Sequence, residues 1–188
     1  MIEALFTIIG TILGFLLNEV SSRWREKRKR QEEEQSVRTL LAIEIDYDLK
    51  LLHEFWQELK QADKPEEDEK LREIRLAREL AQSPLPSWTH RMWEGQVAYI
   101  ASALNEHQIR EVNAFHRRLE SIAGIQRTLS DLLAEQHAYS RTTNGTLDRY
   151  GLLGPPRPFD DRAPALWSQC RRTVGETLQR GNPLAGKG

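Results

Sequence analysis

Ala4-Leu5-Phe6-Thr7-Ile8-Ile9-Gly10-Thr11-Ile12-Leu13-Gly14-Phe15-Leu16-Leu17 stands near the N-terminus, and Ser21-Ser22-Arg23-Trp24-Arg25-Glu26-Lys27-Arg28-Lys29-Arg30 follows after three intervening residues. A helix from Ile2 to Val20 spans about 28 Å at 1.5 Å per residue, close to the roughly 30 Å hydrocarbon core of a bilayer. Eleven of those positions are Ile, Leu, Phe or Val. Each favours insertion by about 0.5 kcal/mol, enough to outweigh two threonines, two glycines and an asparagine. Glu3 and Glu19 stand at the two ends, within reach of headgroups. The run therefore predicts a single transmembrane helix, with residues 1–22 as the anchor; the competing reading is a buried helix of a soluble domain. A cleaved signal would carry its positive charge before the apolar region and a small-residue cleavage site after it, and here the order is reversed. Six Lys or Arg against one Glu between Arg23 and Arg30 place the C-terminal side in the cytoplasm of a plasma (inner) membrane and the N-terminus outside, with Trp24 at the interface.

At 100° per residue, Glu3, Thr7, Gly10, Thr11, Gly14 and Asn18 share one arc, while every Leu, Ile and Phe of the segment lies outside it. Lipid gives no hydrophobic drive for helix pairing, so small residues that allow close backbone approach and polar side chains that bond across helices take that role. Thr7, Gly10, Thr11, Gly14 and Asn18 are accordingly read as an oligomerisation face. The expected assembly is a homo-oligomer. Arg23, Arg25, Lys27, Arg28, Lys29 and Arg30 form a collar for anionic lipid headgroups, worth about 1 kcal/mol per basic side chain near the surface.

Beyond the collar the chain predicts helices throughout. Arg28/Glu32, Lys29/Glu33 and Arg30/Glu34 are opposite charges four residues apart, which carry the membrane helix through a charged stalk over residues 23–36. From residue 37 the pattern turns amphipathic: Val37, Leu41, Ile45, Asp48, Leu52, Phe55 and Leu59 recur at helical spacing, widened by Leu40, Leu51 and Trp56. Pro65 and the acidic run from Glu66 to Glu69 predict a new helix start, with Leu71, Ile74, Ala77 and Leu80 as its apolar face. Ser83-Pro84-Leu85-Pro86 is a break, and Ser87 is placed to cap a helix whose inner face is Met92, Trp93, Val97, Ile100 and Leu104. Asn105 caps or bends the next element, a long helix carrying Ile109, Val112, Leu119, Ile122, Ile125, Leu129, Leu132 and Leu133. A loop over residues 143–160 contains the Asn144-Gly145 turn, and Leu166, Trp167, Cys170, Val174 and Leu178 mark a last helix closed by Gly181. The fold class is all-α: an anchor and stalk joined to a cytosolic antiparallel bundle of four to five helices over residues 37–180, with residues 181–188 as a tail.

Composition narrows the partners. A net charge of −1 gives no global attraction to nucleic acid, which is not favoured as a partner. The single Cys170 excludes an internal disulfide framework and, within the helical stripe from Leu166 to Leu178, reads as core. No phosphate loop, H-E-x-x-H or E-x-x-H pair occurs, so neither a metal nor a cofactor is expected. Trp88, Trp93, Tyr99, His90 and Arg91 have the composition of a stacking pocket, although Trp93 also belongs to a core stripe. Asn144-Gly145-Thr146 matches a glycosylation sequon that a cytosolic location would leave unused, and Gly154-Pro155-Pro156-Arg157-Pro158 reads as a stiff loop.

Arg110-Glu111-Val112-Asn113-Ala114-Phe115-His116 resembles the Arg-x4–6-His motif of HEPN-like helical RNase domains of bacterial defence and toxin systems. It has Glu111 where those domains usually carry a small polar residue, and a chain this rich in arginine meets such a spacing by accident. The resemblance implies a membrane-tethered RNase with Arg110 and His116 at a dimer cleft. The plan of one short anchor and a small α-bundle is also similar to membrane effectors of phage-defence loci, some of which assemble into pores. Set against the enzyme is a non-enzymatic, self-associating membrane protein whose bundle binds a cytosolic protein or ligand.

Overall fold

Between Ile2 and Gln61 the chain has no proline and only two glycines, so nothing interrupts the hydrogen-bond ladder. One helix, α1 (Ile2–Gln61), therefore runs for 60 residues, about 90 Å. The computed structural model describes residues 2–88, 93, 95, 97–143 and 158–185, with the side chains of 2–13, 97, 98 and 139–143 left outside the description. Four more helices come after it: α2 (Glu69–Gln82), α3 (Val97–Ala103), α4 (Glu106–Thr143) and α5 (Pro158–Arg180). All regular structure among the described residues is helical.

Two of the expected i,i+4 pairs of residues 23–36 form, Arg28 with Glu32 at 3.1 Å and Lys29 with Glu33 at 3.8 Å, joined by Arg23 to Glu19 at 3.0 Å. Each is solvent-exposed and adds only a few tenths of a kcal/mol. Their sum nevertheless favours helix where packing gives no support.

From Leu41 onward α1 is part of a bundle. α5 is the central strut: it packs along α4, α2 and α1, while α3 lies against α1. Gln136 of α4 meets the start of α5 at Phe159, and Glu111 meets its end at Arg180, so α4 and α5 run antiparallel. Glu73 bonds Ser168 and Arg78 pairs with Asp160, which sets α2 antiparallel to α5 as well. Trp56 stacks on Trp167 at 5.3 Å, and Asn182 reaches Ala42 and Asp46, giving α1 the same relation to α5. Leu41, Ile45, Leu52, Phe115, Leu119, Ile122, Leu129, Phe159 and Val174 are fully buried between these helices.

Several expected boundaries shift. Pro65 lies in the connection, and α2 is capped three residues later by Asp68, whose carboxylate accepts from the Lys70 and Leu71 N–H groups at 3.1 and 3.2 Å. The reversal from α1 to α2 uses the intervening residues: Arg75 donates to the Ala62 carbonyl and pairs with Glu67 at 2.8 Å. The inner face of α2 is Leu76, Ala77, Leu80 and Ala81, while Leu71 is 58% exposed. A repeat of strictly three residues slips 60° per step, so Leu71 and Leu80 lie on opposite sides of the helix. Leu40, expected to widen the α1 core face, is exposed. The expected loop 143–160 is shorter at both ends, because Thr143 belongs to α4 and Pro158 opens α5; proline suits the first helical turn, where its missing N–H has no partner to lose. The positions of Asn144-Gly145-Thr146 and of Gly154 to Arg157 lie outside the described residues.

Two expected caps form. Asn105 and Gln108 bond each other's backbone N–H groups at 2.9 and 3.1 Å, a reciprocal capping box opening α4. Gly181 closes α5 at φ +64°, a conformation that costs glycine nothing. Residues 181–185 are not a loose tail: Leu184 is buried, and Asn182 donates to the Ala42 carbonyl at 3.0 Å and to Asp46 at 2.9 Å.

The α2 register has a direct test. Leu76→Ala should cost about 2–5 kcal/mol and Leu71→Ala no more than about 0.5 kcal/mol in urea unfolding; equal costs would refute this packing.

Candidate functional site

The surface that stands out chemically is the first part of α1 whose side chains are described. Phe15 is 69%, Leu17 68% and Trp24 70% exposed, and Leu16 and Val20 are exposed with them. These side chains ring the helix with exposed apolar surface, which water disfavours. Arg23, Arg25, Lys27, Arg28, Lys29 and Arg30 come next on the same helix, all exposed. Arg23 and Arg28 are held by Glu19 and Glu32, and Arg25 donates to the Ser21 carbonyl at 3.4 Å. Trp24, Lys27, Arg28 and Gln31 line one side of the helix, which combines an aromatic plane with two cations.

Of the expected oligomerisation face, Thr7, Gly10 and Thr11 have side chains outside the described residues. Gly14 and Asn18 are described and exposed, and a Cβ at Gly14 would meet nothing within 4 Å. The space beside Gly14 is open to a neighbour. Among the described residues no helix is long and apolar enough to cross a membrane; Ala4 to Leu13, most of the apolar run, have side chains outside them.

Arg110 and His116 are not brought together within one chain. Six residues along α4 turn their side chains about 120° apart. Arg110 is exposed and lies 3.4 Å from Glu106. His116 is 3% exposed, with its ring centroid 5.4 Å from those of both Trp93 and Phe115. The Trp88, Trp93 and Tyr99 group is likewise dispersed: Trp88 and Trp93 pack against the core while Tyr99 is exposed, and His90 and Arg91 lie outside the described residues. Among the described residues no group of three His, Cys, Asp or Glu side chains could hold a metal ion.

Among the described residues, a cleft beside two stacked tryptophans is a feature that spacing alone does not reveal. It holds about 200 Å³ beside the Trp56–Trp167 stack and is lined by Lys60, Asp63, Arg72, Glu73 and Arg171. Arg72 lies 3.5 Å from Asp63, and Glu73 accepts from Ser168 at 3.2 Å, so the cleft's own carboxylates answer part of its positive charge. Trp56 and Trp167 each stand at core positions of their own helix, and no local signal pairs helices this far apart in sequence.

Arg118 and Cys170 have displaced acidities. Burial lowers the Arg118 pKa, and the nearby Arg180 lowers it further, against the opposing pull of Glu111 and Glu176. Cys170 is buried as its stripe predicts, and desolvation pushes its thiol up to about 12. The neutral thiol is thus the form the fold accommodates. In the unfolded chain the thiol ionises at an ordinary pH, so folding stability carried by the neutral thiol is complete below that point and declines as pH rises towards 12. Native protein at pH 8 should leave Cys170 unmodified by a thiol reagent that reacts fully in urea, and the stability lost between pH 8 and pH 10 should be smaller in Cys170→Ala.

No family model matches the chain, and no curated protein or solved structure is similar to it.

Proposed function

We propose that this chain is a single-pass membrane-anchored, self-associating helical protein of non-enzymatic type, whose bundle couples a cytosolic partner or signal to the membrane. The observation that carries the reading is the exposed Phe15, Leu16, Leu17, Val20 and Trp24 surface directly before the basic collar. The order of apolar residues, one tryptophan and then cations is the one that a bilayer interface selects. The apolar run from Ala4 to Leu17 supplies the length, and the collar sets the topology, N-terminus outside and bundle in the cytoplasm. Anionic headgroups are the proposed first partner.

The absence of an interruption in α1 gives the anchor a mechanical consequence. Over residues 23–36 the stalk is about 20 Å long, which lifts the bundle clear of the headgroups. A partner that shifts the bundle therefore acts on the anchor through continuous helix. Self-association of the anchors rests on Thr7, Gly10, Thr11, Gly14 and Asn18.

Expressed in bacteria, the full chain should float with membrane vesicles and resist alkaline extraction; full release by alkali would refute the anchor. Gly10→Leu with Gly14→Leu should leave the protein in the membrane and weaken the ladder of amine-crosslinked oligomers. An unchanged ladder would refute the small-residue face.

A further inference from the structure

Beyond the stalk, α1 presents a second exposed apolar patch. Leu40, Ile43 and Tyr47 are 48%, 58% and 53% exposed, one turn apart on the side of α1 turned away from the bundle. Their neighbours Leu41, Ile45, Asp48 and Leu52 are fully buried on the opposite side. Leu40, Ile43 and Tyr47 follow the three-four spacing of apolar residues that brings one helix against another along a seam, and the polar Ser36, Lys50 and Glu54 bound this short stretch at the same spacing.

Helical phase identifies the partner. Because α1 is unbroken, its faces are fixed relative to one another, and at 100° per residue Gly14, Asn18, Leu40, Ile43 and Tyr47 fall within one arc of about 80°. The side of α1 that carries Gly14 and Asn18 is thus also the side with the exposed apolar patch. We infer that Leu40, Ile43 and Tyr47 form a second self-association surface, on which α1 of one copy pairs with α1 of another in parallel and in register. This rests on the proposed anchor, since parallel pairing is required only if both N-termini enter the same bilayer.

The flanking charges define the alternative. Lys29 and Glu33 lie 3.8 Å apart before the patch, and Lys50 and Glu54 lie 3.9 Å apart after it. An antiparallel pair centred between Leu41 and Ala42 would set Lys29 opposite Glu54 and Glu33 opposite Lys50. In the parallel pair Tyr47 faces Tyr47 of the second copy. In the antiparallel pair the two are separated by eleven residues along the axis, about 16 Å, far beyond the roughly 7 Å between Cα atoms that a disulfide tolerates.

The full-length protein in native membranes separates these arrangements, and the buried Cys170 leaves the background low. Under mild oxidation, Tyr47→Cys should give about tenfold more disulfide dimer than Arg127→Cys, an exposed position on α4, because only the former brings two thiols within bonding geometry. Adding Ile43→Glu to Tyr47→Cys should return the dimer to the Arg127→Cys level. Membrane-bound protein without a Tyr47→Cys dimer would overturn the inference and leave the anchor standing. A dimer formed only between Lys29→Cys and Glu54→Cys chains would overturn it in favour of the antiparallel pair. Loss of the protein from the membrane fraction would instead defeat the anchor reading, together with the parallel pairing derived from it.

Discussion

The structure depends on the continuity of one hydrogen-bond ladder. α1 exposes apolar and basic residues at its N-terminal part and supplies Leu41, Ile45, Leu52, Phe55, Trp56 and Leu59 to the core at its C-terminal part. An isolated helix is marginal in water, because the cost of nucleation is not recovered by hydrogen bonds alone. The stalk is therefore held at its bundle end by packing and along its length by weak charge pairs such as Arg28–Glu32. Breaking the ladder there would cost the core little. It would, however, uncouple the orientation of Gly14 from that of Tyr47.

α5 provides the complementary constraint. It is the element that α1, α2 and α4 all contact, and it does so with few large residues: Phe159, Trp167 and Val174 on one face, and Cys170 and Thr177 completing it. The two buried hydroxyl- and thiol-bearing residues are satisfied in different ways. Thr177 donates to the Thr173 carbonyl at 2.7 Å, whereas Cys170 behaves as a small hydrophobe whose burial keeps the proton on sulfur. The C-terminal end of α2 is secured by side chains of its neighbour: Ser130 and Gln126 of α4 both donate to the Ala81 carbonyl, at 2.6 and 3.4 Å. Carbonyls at a helix end have no intrahelical partner, so these bonds satisfy groups that would otherwise need water.

What could be read from residues alone depends on the range of the interaction involved. The α4 stripe of Val112, Leu119, Ile122, Ile125, Leu129 and Leu133 is buried as its periodicity implies, and Asn105 opens α4 and Gly181 closes α5 by bonds or dihedral angles set within a few residues. Pro65 misleads because Asp68 competes for the same helix start with two real hydrogen bonds. The burial of Asp48 could be placed on a stripe, yet the partners that such a group needs come from tertiary packing. Arg110 and His116 show the same limit from the other side. A spacing of six is visible in sequence, but whether both side chains can face one point depends on helical angle and burial, and here they diverge. The Trp56–Trp167 cleft is the least legible feature, since neither residue has a local reason to be read as anything but core.

The direction in which the N-terminal part of α1 faces is set within the bundle. A helix rotates 100° per residue, so a slip of α1 by one residue against α5 would turn Gly14 and Asn18 by nearly a third of a revolution with no change in the stalk itself. Among the contacts that resist this slip are the bonds of Asn182, just past the end of α5, to Ala42 and Asp46, the Trp56–Trp167 stack, the packing of α3 along α1 and the bond from Arg75 to the Ala62 carbonyl. The Asn182 bonds and the tryptophan stack tie α1 to α5, and the cleft beside the stack opens between Lys60, Asp63 and Arg72. Anything that repacks α5 acts on the register of α1 directly, and so do α3, which lies against it, and α2, through Arg75 and Arg72. The rotational setting of the N-terminal face is thus fixed by contacts about 40 to 60 Å away along one helix axis.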